Sequence, residues 1–195
     1  MPNWQRALML FSDNAPDDVS WMLVGSTATR LHRVCVEPAD VDILVHPDTA
    51  EEAVHRLVEA LSRYAVDGPA VQDLEDFLST HDQTMLAAGD WLFGRWMVDG
   101  CKVEVARIRE PVDPLLLLET QGLFVWTLRE VVEWRGRFLP VVPLEVQVAT
   151  IVLRGQTARE RSARSAMTER GFNQELLDRA MVARGLYPPR WHTGP

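Results

Sequence analysis

The feature that most constrains this chain is a short apolar run, a glycine turn and a strand carrying two acids. Trp21-Met-Leu-Val24 suits a buried strand. Gly25 lets the chain turn without a Cβ penalty, and Ser26 is placed to cap a helix that Thr27 to Arg33 begins. Backbone N–H groups at such a start attract anions, phosphates above all. After thirteen intervening residues, Asp40-Val-Asp42-Ile-Leu-Val45 reads as a further strand. Side chains two apart on a strand point the same way, so Asp40 and Asp42 share a face while Val41 and Ile43 pack on the other. Two carboxylates that close repel each other unless a cation lies between them. Hard oxygen ligands suit Mg²⁺, which binds through one or two carboxylates together with substrate phosphates. A phosphate turn and a carboxylate pair therefore point to one chemistry.

A second strand pair follows. Asp90 to Val98, the dipeptide Asp99-Gly100, and Cys101 to Ile108 predict a hairpin, because Asp-Gly suits a tight two-residue turn. Glu104 falls on its second strand, with Val103 and Val105 on the opposite face. Lys102, beside Glu104, is assigned to the opposite face and given no catalytic role.

Together these residues resemble the nucleotidyltransferase superfamily related to DNA polymerase beta. Its pattern is an apolar residue, Gly, Gly or Ser, a spacer, Asp-apolar-Asp/Glu-apolar, and a third carboxylate on a later strand. The resemblance implies transfer of a nucleoside monophosphate from an NTP, such as ATP, to a hydroxyl acceptor. It implies that Asp40, Asp42 and Glu104 hold Mg²⁺ or Mn²⁺ and carry the catalysis. Gly25 and Ser26 then bind the nucleotide phosphates, and Arg30, one helical turn beyond Ser26, helps to hold a triphosphate. The acceptor stays open between a small molecule such as an aminoglycoside or lincosamide, a tRNA end and a protein side chain. A second reading is a binding or regulatory partner of the toxin–antitoxin type on the same fold. Many small members carry a Lys-Asp pair soon after an Arg-Gly, and Arg154-Gly155-Gln-Thr-Ala-Arg159-Glu160 lacks it.

Other Asp-x-Asp chemistries fit less well. Haloacid dehalogenase-like phosphatases place the pair after an apolar strand, whereas Glu37-Pro38-Ala39 precedes it here. Glycosyltransferases place it at a strand end, whereas Ile43-Leu44-Val45 continues the strand.

Along the rest of the chain, residues 3–12 and Ala50 to Tyr64 read as helices, the second ended by Asp67-Gly68-Pro69. Residues 70–88 are ambiguous. Val131 to Leu139 predicts a small hairpin turning at Arg135-Gly136. Helices fit Pro143 to Leu153, 157–170 and 173–184, the last two separated by Gly171 and capped at Asn173. Mixed strands and helices followed by helices alone predict an α+β fold: a mixed β-sheet core with flanking helices over 1–142, and a C-terminal helical segment over 143–195.

Charge is distributed unevenly. Residues 1–153 hold 12 Lys and Arg against 24 Asp and Glu, while residues 154–195 hold 8 Arg against 4 acids and no lysine. An acidic core is a poor general nucleic-acid binder and favours a cationic small molecule. The C-terminal arginines are expected to pair with acids or line a solvated helix face, the alternative being contact with an RNA or an acidic partner. Cys35 and Cys101 are too few for a disulfide framework, and the scattered histidines, His32 and His81 among them, lack zinc-ligand spacing. Trp91, Trp96 and Trp126 are expected in the core or at its rim. No run is long enough to span a membrane and no basic segment leads into an apolar one at the N-terminus, so a cytoplasmic protein is the default, its oligomeric state left open by the sequence.

Overall fold

Alternation of buried and half-exposed positions along the strands sets the architecture in the computed structural model, which describes residues 1–62, 90–109, 117–119 and 122–187. The ambiguous stretch 70–88, the predicted helix end at Asp67-Gly68-Pro69 and His81 lie outside the described residues, as does the side chain of Trp91. The fold is α+β, with six strands and seven helices among the described residues and both parallel and antiparallel strand pairs. Among them no helix is long and apolar enough to cross a membrane. The chain divides into two compact units, Met1–Leu23 with Ala39–Pro111, and Val24–Pro38 with Val112–Pro195.

In the first unit the strands are β1 (Trp21–Val24), β2 (Asp40–Val45), β3 (Asp90–Val98) and β4 (Cys101–Arg109), in the order β3-β4-β2-β1. Strands β3 and β4 form the predicted hairpin, with Asp99 at φ 51° and Gly100 at φ 74°. Positive φ at both turn positions is the geometry that Asp-Gly favours between twisted strands. Strand β2 lies parallel to β4, with Val41 opposite Val103 and Ile43 opposite Val105, all buried. Helices α1 (Asn3–Asn14) and α3 (Glu51–Ser62) pack on these strands through Trp4, Leu8, Phe11, Val54 and Leu57. Trp96 is fully buried, as expected of a core tryptophan. Arg107, also fully buried, donates through Nη1 to the Thr49 carbonyl at 2.9 Å and so pins the chain just before α3.

The second unit contains α2 (Gly25–Leu31), the hairpin of β5 (Glu130–Trp134) with β6 (Arg137–Val141), and four further helices, Leu123–Thr127, Leu144–Leu153, Thr157–Arg170 and Gln174–Val182. Its hairpin turns at Arg135 (φ 52°) and Gly136 (φ 77°), as the sequence predicts. The Leu144–Leu153 helix is buried on nearly every side, which suits its largely apolar sequence, with Glu145 and Gln147 buried among the aliphatic residues. Asn173 caps the last helix by accepting from the Leu176 N–H at 3.0 Å. The C-terminal arginines divide by role. Arg184 is buried as an ion pair with Glu119, while Arg154, Arg161, Arg164 and Arg179 are exposed.

Candidate functional site

The carboxylates lie in the first unit, and backbone register brings them together. In the parallel β2–β4 pair Asp42 stands opposite Glu104 and Asp40 opposite Lys102. The same parity that buries Val41, Ile43, Val103 and Val105 puts Asp40, Asp42, Lys102 and Glu104 on one face. This corrects the expectation for Lys102. Residues 102 and 104 are two apart on a strand, so they share a face rather than oppose each other.

Lys102 is the centre of the cluster. Its Nζ lies 3.2 Å from Glu104 Oε2 and 3.6 Å from Asp40 Oδ2. Only 5% of the Glu104 side chain is exposed, against 32% for Lys102. A carboxylate that deep needs a cation or donors beside it, and the ammonium supplies one. The acidic field extends to Cys101. Burial first, then the charges of Asp40 and Asp42, push the Cys101 thiol up to about 11, with Lys102 opposing them.

By donor type alone the cluster suits a hard divalent cation: three acids share one face of adjacent strands, and two of them, Asp40 and Glu104, lie beside an ammonium. Among the described residues no three Asp, Glu, His or Cys side chains are gathered closely enough to hold a metal. Lys102, rather than a third acid, completes the group around Asp40 and Glu104.

The glycine turn lies in the second unit. Gly25 adopts φ 68°, a left-handed conformation that a β-carbon disfavours, so the predicted need for glycine is met by geometry. The helix begins at Gly25 itself, with Val24 in the N-cap position and no side-chain cap bond. Ser26 is therefore not the cap. It is buried inside the first turn. The Gly25 N–H donates to Gln147 Oε1 at 2.9 Å, and Thr29 Oγ1 donates back to the Gly25 carbonyl at 2.8 Å. Arg30 is exposed in the last turn of α2 and its Nη1 donates to the Val34 carbonyl at 3.4 Å, toward the C-terminal end of the helix.

His32 follows the same helix and is a packing residue. Its Nε2 lies 2.7 Å from the Val142 carbonyl, which only accepts, so Nε2 carries the proton. Arg170 Nη1 donates to Nδ1 at 3.1 Å. Burial, with the Arg170 charge adding to it, lowers the His32 pKa to about 4 against the opposing Val142 bond and Glu145 charge.

Comparison with known proteins places this geometry in a fold. A candidate nucleotidyltransferase from Thermotoga maritima, TM1012, superposes with a TM-score of 0.50 at 21% identity, over 87% of this chain and 95% of that one. The chain has the nucleotidyltransferase fold. No protein-family model matches the sequence, and no curated protein matches it. The sequence pattern singles out Asp40, Asp42 and Glu104, which share one face of adjacent strands, and Gly25, which adopts a left-handed turn. It misses two residues that contact them. Lys102 was legible from strand parity alone. Gln147 was not, since 122 residues separate it from Gly25.

Proposed function

We propose that the protein is a metal-dependent nucleotidyltransferase that moves a nucleoside monophosphate from an NTP to a hydroxyl acceptor. The observation that supports this most is Asp42 standing opposite Glu104 on adjacent parallel strands, with Asp40 on the same face, within a nucleotidyltransferase fold. In this reading Asp40, Asp42 and Glu104 hold Mg²⁺ or Mn²⁺. When bound, such an ion neutralises phosphate charge and polarises the attacking and leaving oxygens of an in-line displacement. Glu104 takes the acceptor hydroxyl proton on a carboxylate oxygen, and its burial keeps water from competing for that oxygen. Gly25 and Ser26 bind the nucleotide phosphates, Arg30 would have to leave the Val34 carbonyl to join them, and Gln147 holds the Gly25 N–H until a phosphate oxygen takes it. The acid excess of residues 1–153 favours a cationic, hydroxyl-bearing small molecule over a tRNA end or an acidic protein.

Two contacts favour a second reading, a regulatory partner with little turnover: Lys102 lies on two of the carboxylates, and Gln147 engages the glycine turn. Thermal shift separates the two readings. Mg²⁺ with a non-hydrolysable NTP should raise the melting temperature by mass action on the folded state, and Asp42→Asn should abolish the rise while leaving the unliganded melt near wild type. An equal rise in both proteins would remove Asp42 from the nucleotide–metal site.

A further inference from the structure

The chain has 20 Lys and Arg residues, and Lys102 is its only lysine. The other 19 are arginines. That one ammonium lies between Asp40 and Glu104, where the metal reading puts a divalent ion. The choice of amine over guanidinium has a physical consequence. An arginine grips a carboxylate with a planar two-pronged fork, whereas a lysine is a point charge on a flexible stem that turns from one acceptor to another. Lys102 also has somewhere to go. About a third of its side chain is exposed, while Glu104 is almost wholly buried and cannot follow it out. The cation can therefore leave and the carboxylate stays.

We propose that Lys102 is the resident counter-cation of the carboxylates and sets their affinity for divalent metal: a metal reaches Asp40 and Glu104 by displacing its ammonium. In the metal-free protein Lys102 offsets the repulsion among Asp40, Asp42 and Glu104 and the cost of burying Glu104. With metal bound, its side chain turns to solvent, where it is free to meet an anionic group of the substrate. This deepens the metal-dependent reading above and rests on it.

Mn²⁺ alone, titrated against wild type, Lys102→Met and Lys102→Arg and followed by electron paramagnetic resonance of the free ion, tests the proposal. Removing the competing charge should tighten Mn²⁺ binding by about tenfold in Lys102→Met. Lys102→Arg keeps the charge and grips harder, so its affinity should be no tighter than wild type. Binding by wild type with an unchanged dissociation constant in Lys102→Met would overturn the proposal and leave the metal reading standing. Binding by none of the three would overturn both. Should Lys102→Met fail to fold, wild type still decides. Lys102 carries the only side-chain amine, so acylation by an N-hydroxysuccinimide ester, quantified at that residue by mass spectrometry, should run severalfold faster with Mn²⁺ than without. An equal rate in both would refute displacement.

Discussion

Glu104→Gln separates chemistry from folding because the structure predicts small and large effects on different readouts. The substitution nearly preserves shape and removes one charge. Among what it removes is a charge-assisted contact with Lys102 at 3.2 Å, a class of bond with a net value of about 1.5–3 kcal/mol. Two effects offset that loss. Glu104 stands opposite Asp42 in register, so neutralising it relieves like-charge repulsion, and an amide is far less costly to bury than a carboxylate. Lys102 keeps Asp40 as a partner at 3.6 Å. The net change in stability should stay within about 1 kcal/mol, a melting shift of about 2–4 °C for a chain of this size. Turnover should fall at least about 10²-fold, the usual cost of losing a general base, which is about 2.7 kcal/mol of barrier. The assays are a urea melt, a thermal shift with Mg²⁺ and a non-hydrolysable NTP, and transfer of label from an α-labelled NTP to acceptors in a cell extract. Glu104→Gln that folds, binds nucleotide and still labels the acceptor at the wild-type rate would refute the role given to Glu104. A melting drop far beyond 4 °C would show that the carboxylate is structural.

Other expectations follow from particular contacts. Arg184→Ala should cost about 3–5 kcal/mol in a urea melt, because Arg184, 1% exposed, pairs with Glu119 and donates to the carbonyls of Leu117 (2.7 Å) and Ala180 (2.8 Å); a loss under 1 kcal/mol would contradict that accounting. His32 is neutral when folded and titrates near 4, while the unfolded chain takes a proton near the ordinary 6.5. Its stabilising contribution is therefore complete above pH 6.5 and lost as pH falls toward 4, about 1 kcal/mol of it between pH 7 and 5.5, and His32→Gln should flatten that slope in denaturant melts. Gly25→Ala should destabilise by about 1–2 kcal/mol through its left-handed backbone, and an unchanged melt would mean that the turn relaxes. A maleimide should label exposed Cys35 quickly and buried Cys101 only on unfolding, since the Cys101 thiol lies near 11; equal rates in the native protein would sink the burial argument.

Local physics explains what the sequence revealed. The hairpins at Asp99-Gly100 and Arg135-Gly136 were legible because each needs two successive positive φ angles, which few dipeptides tolerate. Asp40, Asp42 and Glu104 were legible because strand parity and buried neighbours leave one arrangement. Lys102 obeys the same parity and was within reach of the same rule. Ser26 misled because serine after glycine suits a cap, whereas the helix here begins at Gly25 and draws Ser26 inside. Arg30 was expected from helical spacing to face the phosphate turn, but spacing does not say which way a long side chain runs, and its guanidinium lies on Val34. Gln147 on Gly25 and Arg184 on Glu119 join residues 122 and 65 apart, and nothing local in the chain encodes such pairings.

The most direct test of nucleotidyl transfer is incorporation of label from each α-labelled NTP into a cell extract, run with wild type and with Asp42→Asn, in Mg²⁺ and in chelator. The account predicts that at least one NTP labels a discrete acceptor with wild type and Mg²⁺, and that chelator or Asp42→Asn abolishes it. No labelling from any NTP, or equal labelling by Asp42→Asn, would contradict it.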